Sequence, residues 1–230
     1  MSFSENYQYF YDELKKACAA SGRSVADVKL VAVSKTVGVP EIQQAIAAGL
    51  HDFGENRPDC LQEKAEALPN ETWHFIGNIQ SRKIPEIVKH SSMVHSLFKE
   101  SHLAKFDAAA KEIGKVQDVL LEVNVSGEES KSGLEPGQVR DVLLKACEFE
   151  NIRVCGLMTM APFAGPGPAM KTFKGLRELH DTLKSELDAQ HAKHFNELSM
   201  GMSSDWLQGV IAGATIIRVG RALFTNEFRR

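Results

Sequence analysis

Cysteine is scarce and scattered. Cys18, Cys60, Cys147 and Cys155 form no C-x-x-C pair. That spacing argues against a disulfide framework or a compact zinc site and points to a reducing, cytoplasmic setting. Long apolar runs are lacking too, and none approaches the ~20 residues that a membrane span needs. The first residues, MSFSENYQYFYDELKKA, carry acids early and no apolar stretch, unlike a secretory signal or a transit peptide. No excess of one charge is present. The formal net charge of -3 gives no electrostatic case for nucleic acid or an anionic membrane. Tyrosine is confined to Tyr7, Tyr9 and Tyr11. No Pro/Gly/Ser linker, composition shift or low-complexity tract divides the 230 residues, which read as one domain over 1–230.

What is present is alternation. Tyr7, Phe10, Leu14 and Cys18 recur at helical spacing and predict an amphipathic helix over 4–20. Strands are then expected at 29–35, 51–56, 72–77, 93–98, 117–126, 152–160, 196–201 and 215–220. Helical segments follow them at 40–49, 58–67, 81–90, 99–113, 137–149, 168–191, 203–213 and 221–228. Pro85 is expected to kink or shorten its helix. Eight strands alternating with eight helices, after an extra N-terminal helix, is the count of a (β/α)8 TIM barrel in the α/β class. An open α/β sheet with one strand misassigned is the alternative.

In a barrel the carboxyl ends of the strands carry the chemistry. Those ends read Lys35, Glu55-Asn56, Gly77-Asn78, Ser96, Asn124, Met158-Thr159, Ser199-Met200-Gly201 and Arg218-Val219-Gly220. The last two strands end in glycine-bearing turns, where barrels frequently bind a phosphate through backbone N–H groups. Ser199 and Ser203 add hydroxyls. Lys35 ends an apolar strand, VAVSK, and a lysine amine that is desolvated loses part of its preference for the charged form. Such an amine attacks a carbonyl and forms a Schiff base. A phosphate-bearing aldehyde such as pyridoxal phosphate would complete this site. The plain alternative is a lysine that reaches water or an acid.

The motifs go further. VAVSKT (31–36), FGENR (53–57), WHFIGNIQSRK (73–83), NVSGEESKSGL (124–134), GLMTM (156–160), LSMGMSSDW (198–206) and IRVGRALF (217–224) occur in this order. Together they resemble the pyridoxal phosphate homeostasis protein family, whose barrel is similar to the N-terminal domain of alanine racemase. The resemblance implies that Lys35 forms a covalent aldimine with pyridoxal 5'-phosphate. It implies that Ser199 and the backbone of Met200 and Gly201 form one phosphate turn, and Gly220 and Arg221 a second. It implies that Arg218 faces the pyridine nitrogen and that Asn56 lies near the cofactor. Many relatives carry threonine or serine where this chain has Arg221, which would spare a backbone contact but not a hydroxyl contact.

The same residues bear on enzyme against carrier. A guanidinium can only donate, so a pyridine nitrogen facing Arg218 stays unprotonated and the ring is a poorer electron sink. Racemases that work with such an arginine need acid/base groups on both faces of the substrate carbon. In the alanine racemase family the second group, a tyrosine, comes from a C-terminal β-domain for which this chain leaves no room after Gly220. The expectation is therefore a monomeric, cytoplasmic carrier without turnover. It would store pyridoxal phosphate, limit the free aldehyde, and pass it to apo-enzymes by a route the sequence does not name. The rivals are a slow pyridoxal phosphate-dependent amino-acid racemase and a Schiff-base aldolase using Lys35 alone. His191 and His194 read as a solvated face, and His74 as a barrel-interior or hydrogen-bonded histidine. GEESKSG (127–133) reads either as a solvated loop or as a lid whose Lys131 catches cofactor in transit. Met158, Met160, Met200 and Met202 either pack beside a pyridine ring or fill core.

Overall fold

The computed structural model describes residues 3–225. Its sheet is a closed barrel of β1 (Lys29–Val33), β2 (Asp52–Glu55), β3 (Thr72–Phe75), β4 (Met93–Leu97), β5 (Gln117–Glu122), β6 (Ile152–Met158), β7 (Glu197–Ser199) and β8 (Ile216–Val219). Every neighbouring pair is parallel. The seam closes where Lys29 to Ala32 of β1 pair with Ile216 to Val219 of β8. That pairing rules out the open sheet.

The helices are α1 (Phe3–Ala20), α2 (Val39–Ala47), α3 (Pro58–Ala67), α4 (Ile84–His90), α5 (Leu103–Glu112), α6 (Val139–Ala146), α7 (Pro166–Glu186), α8 (Ala189–Ala192), α9 (Trp206–Ile211) and α10 (Arg221–Phe224). Pro85 lies in the first turn of α4, where its missing N–H costs nothing. It marks where that helix begins, so the helix is shorter than expected. The segment expected as one helix over 168–191 is two. Asp188 caps α8, its carboxylate accepting from the backbone N–H of Gln190 at 2.9 Å and of His191 at 3.0 Å.

The extra helix α1 lies across the carboxyl-terminal end of the chain. Phe10 meets Trp206 with ring centroids 5.0 Å apart, and Phe3 meets Phe224 at 5.1 Å. Phe10, Leu14 and Cys18 of the expected stripe are buried, and Tyr7 packs partly buried against the same core. Arg23, just past α1, donates to the carbonyl of Val210 at 3.0 Å and of Ala214 at 2.7 Å, satisfying acceptors at the end of α9.

A large apolar layer fills the space between the sheet and its helices. A smaller cluster of Val31, Met93, Leu120, Cys155, Met158 and Ile216 lies apart from it. Strand side chains alternate faces, so residues two further along from Val31, Leu120 and Ile216 share their face. Those residues are Val33, Glu122 and Arg218. Two residues beyond Val33, just past the end of β1, comes Lys35. One periodicity thus carries apolar packing into a polar mouth.

Candidate functional site

A cavity of about 420 Å³ opens at the carboxyl ends of the strands, and each of the eight strands or the loop after it contributes lining. Among the expected residues, Lys35, Asn56, Arg218, Gly220 and Arg221 line it. Ser199, Met200 and Gly201 do not. Ser199 is fully buried beneath the mouth, and Met200 is fully buried in the outer core. Gly201 has φ +99°, and a side-chain carbon there would crowd Trp206 at 3.0 Å. It turns the chain so that the next residues, Met202, Ser203 and Ser204, line the cavity instead.

Lys35 follows β1 and projects into this space with no hydrogen bond or ion pair among the described residues. It is exposed, so the desolvation expected from the sequence is not there. The strand end beneath it is held by a buried cluster. Lys64 of α3 donates to Glu55 Oε1 at 2.5 Å and to the Ser34 carbonyl at 2.8 Å, and the Ser34 hydroxyl donates to Glu55 Oε1 at 2.7 Å. Asn56 is fixed from the other side by Gly77, where any side-chain carbon would collide with the Asn56 backbone.

Arg218 is almost fully buried. Nη1 donates to the Ser199 carbonyl at 2.8 Å and the Ser199 hydroxyl at 2.5 Å, and Nη2 donates to the Thr159 carbonyl at 3.1 Å. Burial pushes the guanidinium down to about 10, opposed by Asp205 and Glu122, so it stays charged at neutral pH. Below it the Ser199 hydroxyl meets His95 Nδ1 at 2.8 Å, and His95 Nε2 meets His74 Nδ1 at 3.0 Å. The sequence reading of His74 as an interior, hydrogen-bonded histidine matches this placement.

Two residues of the site were missed. His95 sits in MVHSLF among residues that look like ordinary strand filling. Glu122 is the acid among the cavity's lining residues, 3% exposed, with no hydrogen bond or ion pair to its carboxyl among the described residues. Burial pushes it up to about 7 against the pull of Arg218. A signal existed for it, since an acid ends the apolar run DVLLE on the face that Leu120 occupies.

Ser203 and Ser204 follow the glycine turn, and their backbone N–H groups have no protein acceptor among the described residues. The Ser203 hydroxyl accepts long bonds from the N–H of Gly220 at 3.3 Å and of Ala222 at 3.4 Å. Donors and one amine therefore converge on the cavity, a chemistry that suits an anionic carbonyl compound. Ser132 of the 127–133 loop also borders it, as do Met158, Met160 and Met202, while Met200 does not. His191 is paired with Asp188 at 2.7 Å, and no metal-binding group of three or more His, Cys, Asp or Glu occurs among the described residues.

Comparison with known proteins places this geometry. The alanine racemase N-terminal domain matches residues 11–227. A pyridoxal phosphate homeostasis protein of Aquifex aeolicus is 37% identical over 227 residues, covering 97% of this chain and 98% of that one. One of Pseudomonas aeruginosa is 38% identical over 227 residues, covering 97% and 95%. Among solved structures, PipY of Synechococcus elongatus with PLP bound superposes with a TM-score of 0.83 at 31% identity, covering 97% of this chain and 100% of that one. On the strength of these matches and of the barrel that carries them, the chain belongs to the pyridoxal phosphate homeostasis protein family, built on the alanine racemase N-terminal domain.

Proposed function

We propose that this chain binds pyridoxal 5'-phosphate, holds its aldehyde as a Schiff base on Lys35, and serves cofactor homeostasis as a carrier without turnover. The observation that carries the reading is the convergence of the Lys35 amine, the Arg218 guanidinium and the unpartnered N–H groups of Ser203 and Ser204 on one cavity. Bound there, the cofactor supplies an aldehyde carbon open to a primary amine and a ring that can draw electrons. Lys35 holds the aldehyde. Ser203, Ser204 and the Gly220–Arg221 turn hold the phosphate. Arg218, with hydrogens left on Nε and Nη2, would donate to the ring nitrogen, and Asn56 would lie near the cofactor.

The carrier reading rests on which groups reach the cavity. None of the three tyrosines lines it, and Tyr9 borders a separate groove with Phe10 and Glu13. Arg218 can donate but not accept, which leaves the ring a weak electron sink. We place the protein in the cytoplasm as a monomer that delivers cofactor to apo-enzymes. Four free cysteines support a reducing compartment, and among the described residues no helix is long and apolar enough to cross a membrane. The test is spectroscopic. Wild type loaded with pyridoxal phosphate and treated with borohydride should retain one reduced cofactor by mass, and Lys35→Ala should retain none. Incubation with L-alanine should yield no D-alanine; sustained racemisation would replace the carrier by an enzyme.

A further inference from the structure

A line of hydrogen bonds crosses the barrel from its floor to the cavity. At the floor, Lys29 and Asp52 pair at 3.4 Å at the amino ends of β1 and β2. Asp52 Oδ1 meets His74 Nε2 at 2.9 Å, His74 Nδ1 meets His95 Nε2 at 3.0 Å, and His95 Nδ1 meets the Ser199 hydroxyl at 2.8 Å. Ser199 in turn accepts from Arg218 at the cavity. His74, His95, Ser199 and Arg218 are each at most 3% exposed.

The two ends dictate the direction of every link. A guanidinium only donates, so Ser199 Oγ accepts from Arg218. Were it to accept from His95 as well, its own buried hydrogen would lack an acceptor, so that hydrogen turns to His95 Nδ1. Burial, foremost, holds His95 far below its ordinary pKa, so the ring is neutral and its one hydrogen sits on Nε2, aimed at His74 Nδ1. His74 Nδ1 is therefore bare and its hydrogen sits on Nε2, aimed at Asp52. Burial pushes the Asp52 carboxyl up, but the bond from His74 and the charge of Lys29 outweigh it and hold Asp52 low, an anion that accepts. All four donations run the same way, from Arg218 to Asp52.

We propose that His74 and His95 are positioning residues for Arg218: acting through Ser199 they lock its Nη1 in one orientation, and Asp52 at the opposite rim fixes the polarity of the line. Both Nη1 hydrogens are spent on Ser199, which leaves the Nε and Nη2 hydrogens to meet a ligand. The Ser199 hydroxyl, spent on His95, does not donate to a phosphate. The ligand-facing part of this inference rests on the function proposed above.

The first experiment uses ligand-free protein. The ¹⁵N shifts of the two imidazoles at neutral pH should show hydrogen on Nε2 of both His74 and His95. Asp52→Leu removes the terminal acceptor without touching the cavity. It should release His74 to the other tautomer, move the Arg218 guanidinium resonance, and weaken pyridoxal phosphate binding about tenfold, the loss expected when a charged hydrogen-bond partner is misplaced. His95→Gln, whose amide both donates and accepts, should keep the Arg218 resonance near that of wild type, whereas His95→Leu should not. Hydrogen on Nδ1 of either histidine in wild type overturns the assignment, even if every variant fails to fold. An unchanged Arg218 resonance in a folded Asp52→Leu overturns the positioning. If wild type took up no pyridoxal phosphate while tautomers and resonance behaved as stated, the positioning would stand and the proposed function would fall.

Discussion

Replacing Glu122 by glutamine keeps the side chain's shape and removes its charge. In the folded chain burial holds this carboxyl at about 7, against an ordinary value of 4.5. At about 1.4 kcal/mol per pH unit, ionising it inside the fold costs about 3 kcal/mol more than ionising it in the unfolded chain. The sign follows from the direction. A raised acid stabilises the fold fully below its unfolded value, and that contribution is lost as pH climbs through the folded value. Ligand-free wild type should therefore lose about 3 kcal/mol between roughly pH 4.5 and pH 8 that Glu122→Gln retains. Urea unfolding of both proteins across that window, with equal m-values, measures the difference directly. Parallel stability curves would refute the reasoning. They would mean that the charge of Arg218 outweighs desolvation and that Glu122 is ionised throughout.

Other perturbations address the parts that shape the site. Lys64→Met leaves the buried Glu55 with the Ser34 hydroxyl as its remaining partner; it should cost about 3–5 kcal/mol, and adding Glu55→Gln should recover much of that in a chemical-denaturation cycle. Gly77→Ala drives a methyl into the Asn56 backbone; a loss of about 1–3 kcal/mol, read by thermal unfolding, should accompany weaker uptake of pyridoxal phosphate. Leu14→Ala empties a fully buried position under α1; it should destabilise by about 2–5 kcal/mol and leave the cofactor absorbance of the loaded protein unchanged, because α1 packs on the outside of the barrel.

The alternation of short apolar runs with amphipathic segments was enough to read eight strands and their helices, because a period of two and a period of 3.6 are local properties of the chain. The mouth residues Lys35, Asn56, Arg218 and Gly220 could be named for a related reason, whereas Arg221 was named only through the family resemblance. A barrel gathers every strand's carboxyl end at one opening, so position along a strand is already position in space. The chain's own sequence offered Ser203, but it did not reveal that Ser199 turns inward, that Ser204 joins Ser203 beside the cavity, or that Lys35 stays exposed. Those outcomes depend on the Gly201 turn and on how far each strand runs before leaving the ladder.

Nor could sequence join His95 to Ser199, 104 residues apart. Alternation says that a side chain points inward. Only the closure of β8 on β1 and the tilt of the strands decide which inward side chains meet. The charged groups inside this barrel were legible one at a time, but their partners, and so their protonation states and their hold on Arg218, belong to the tertiary structure, because hydrogen bonds depend on distances that no local pattern encodes.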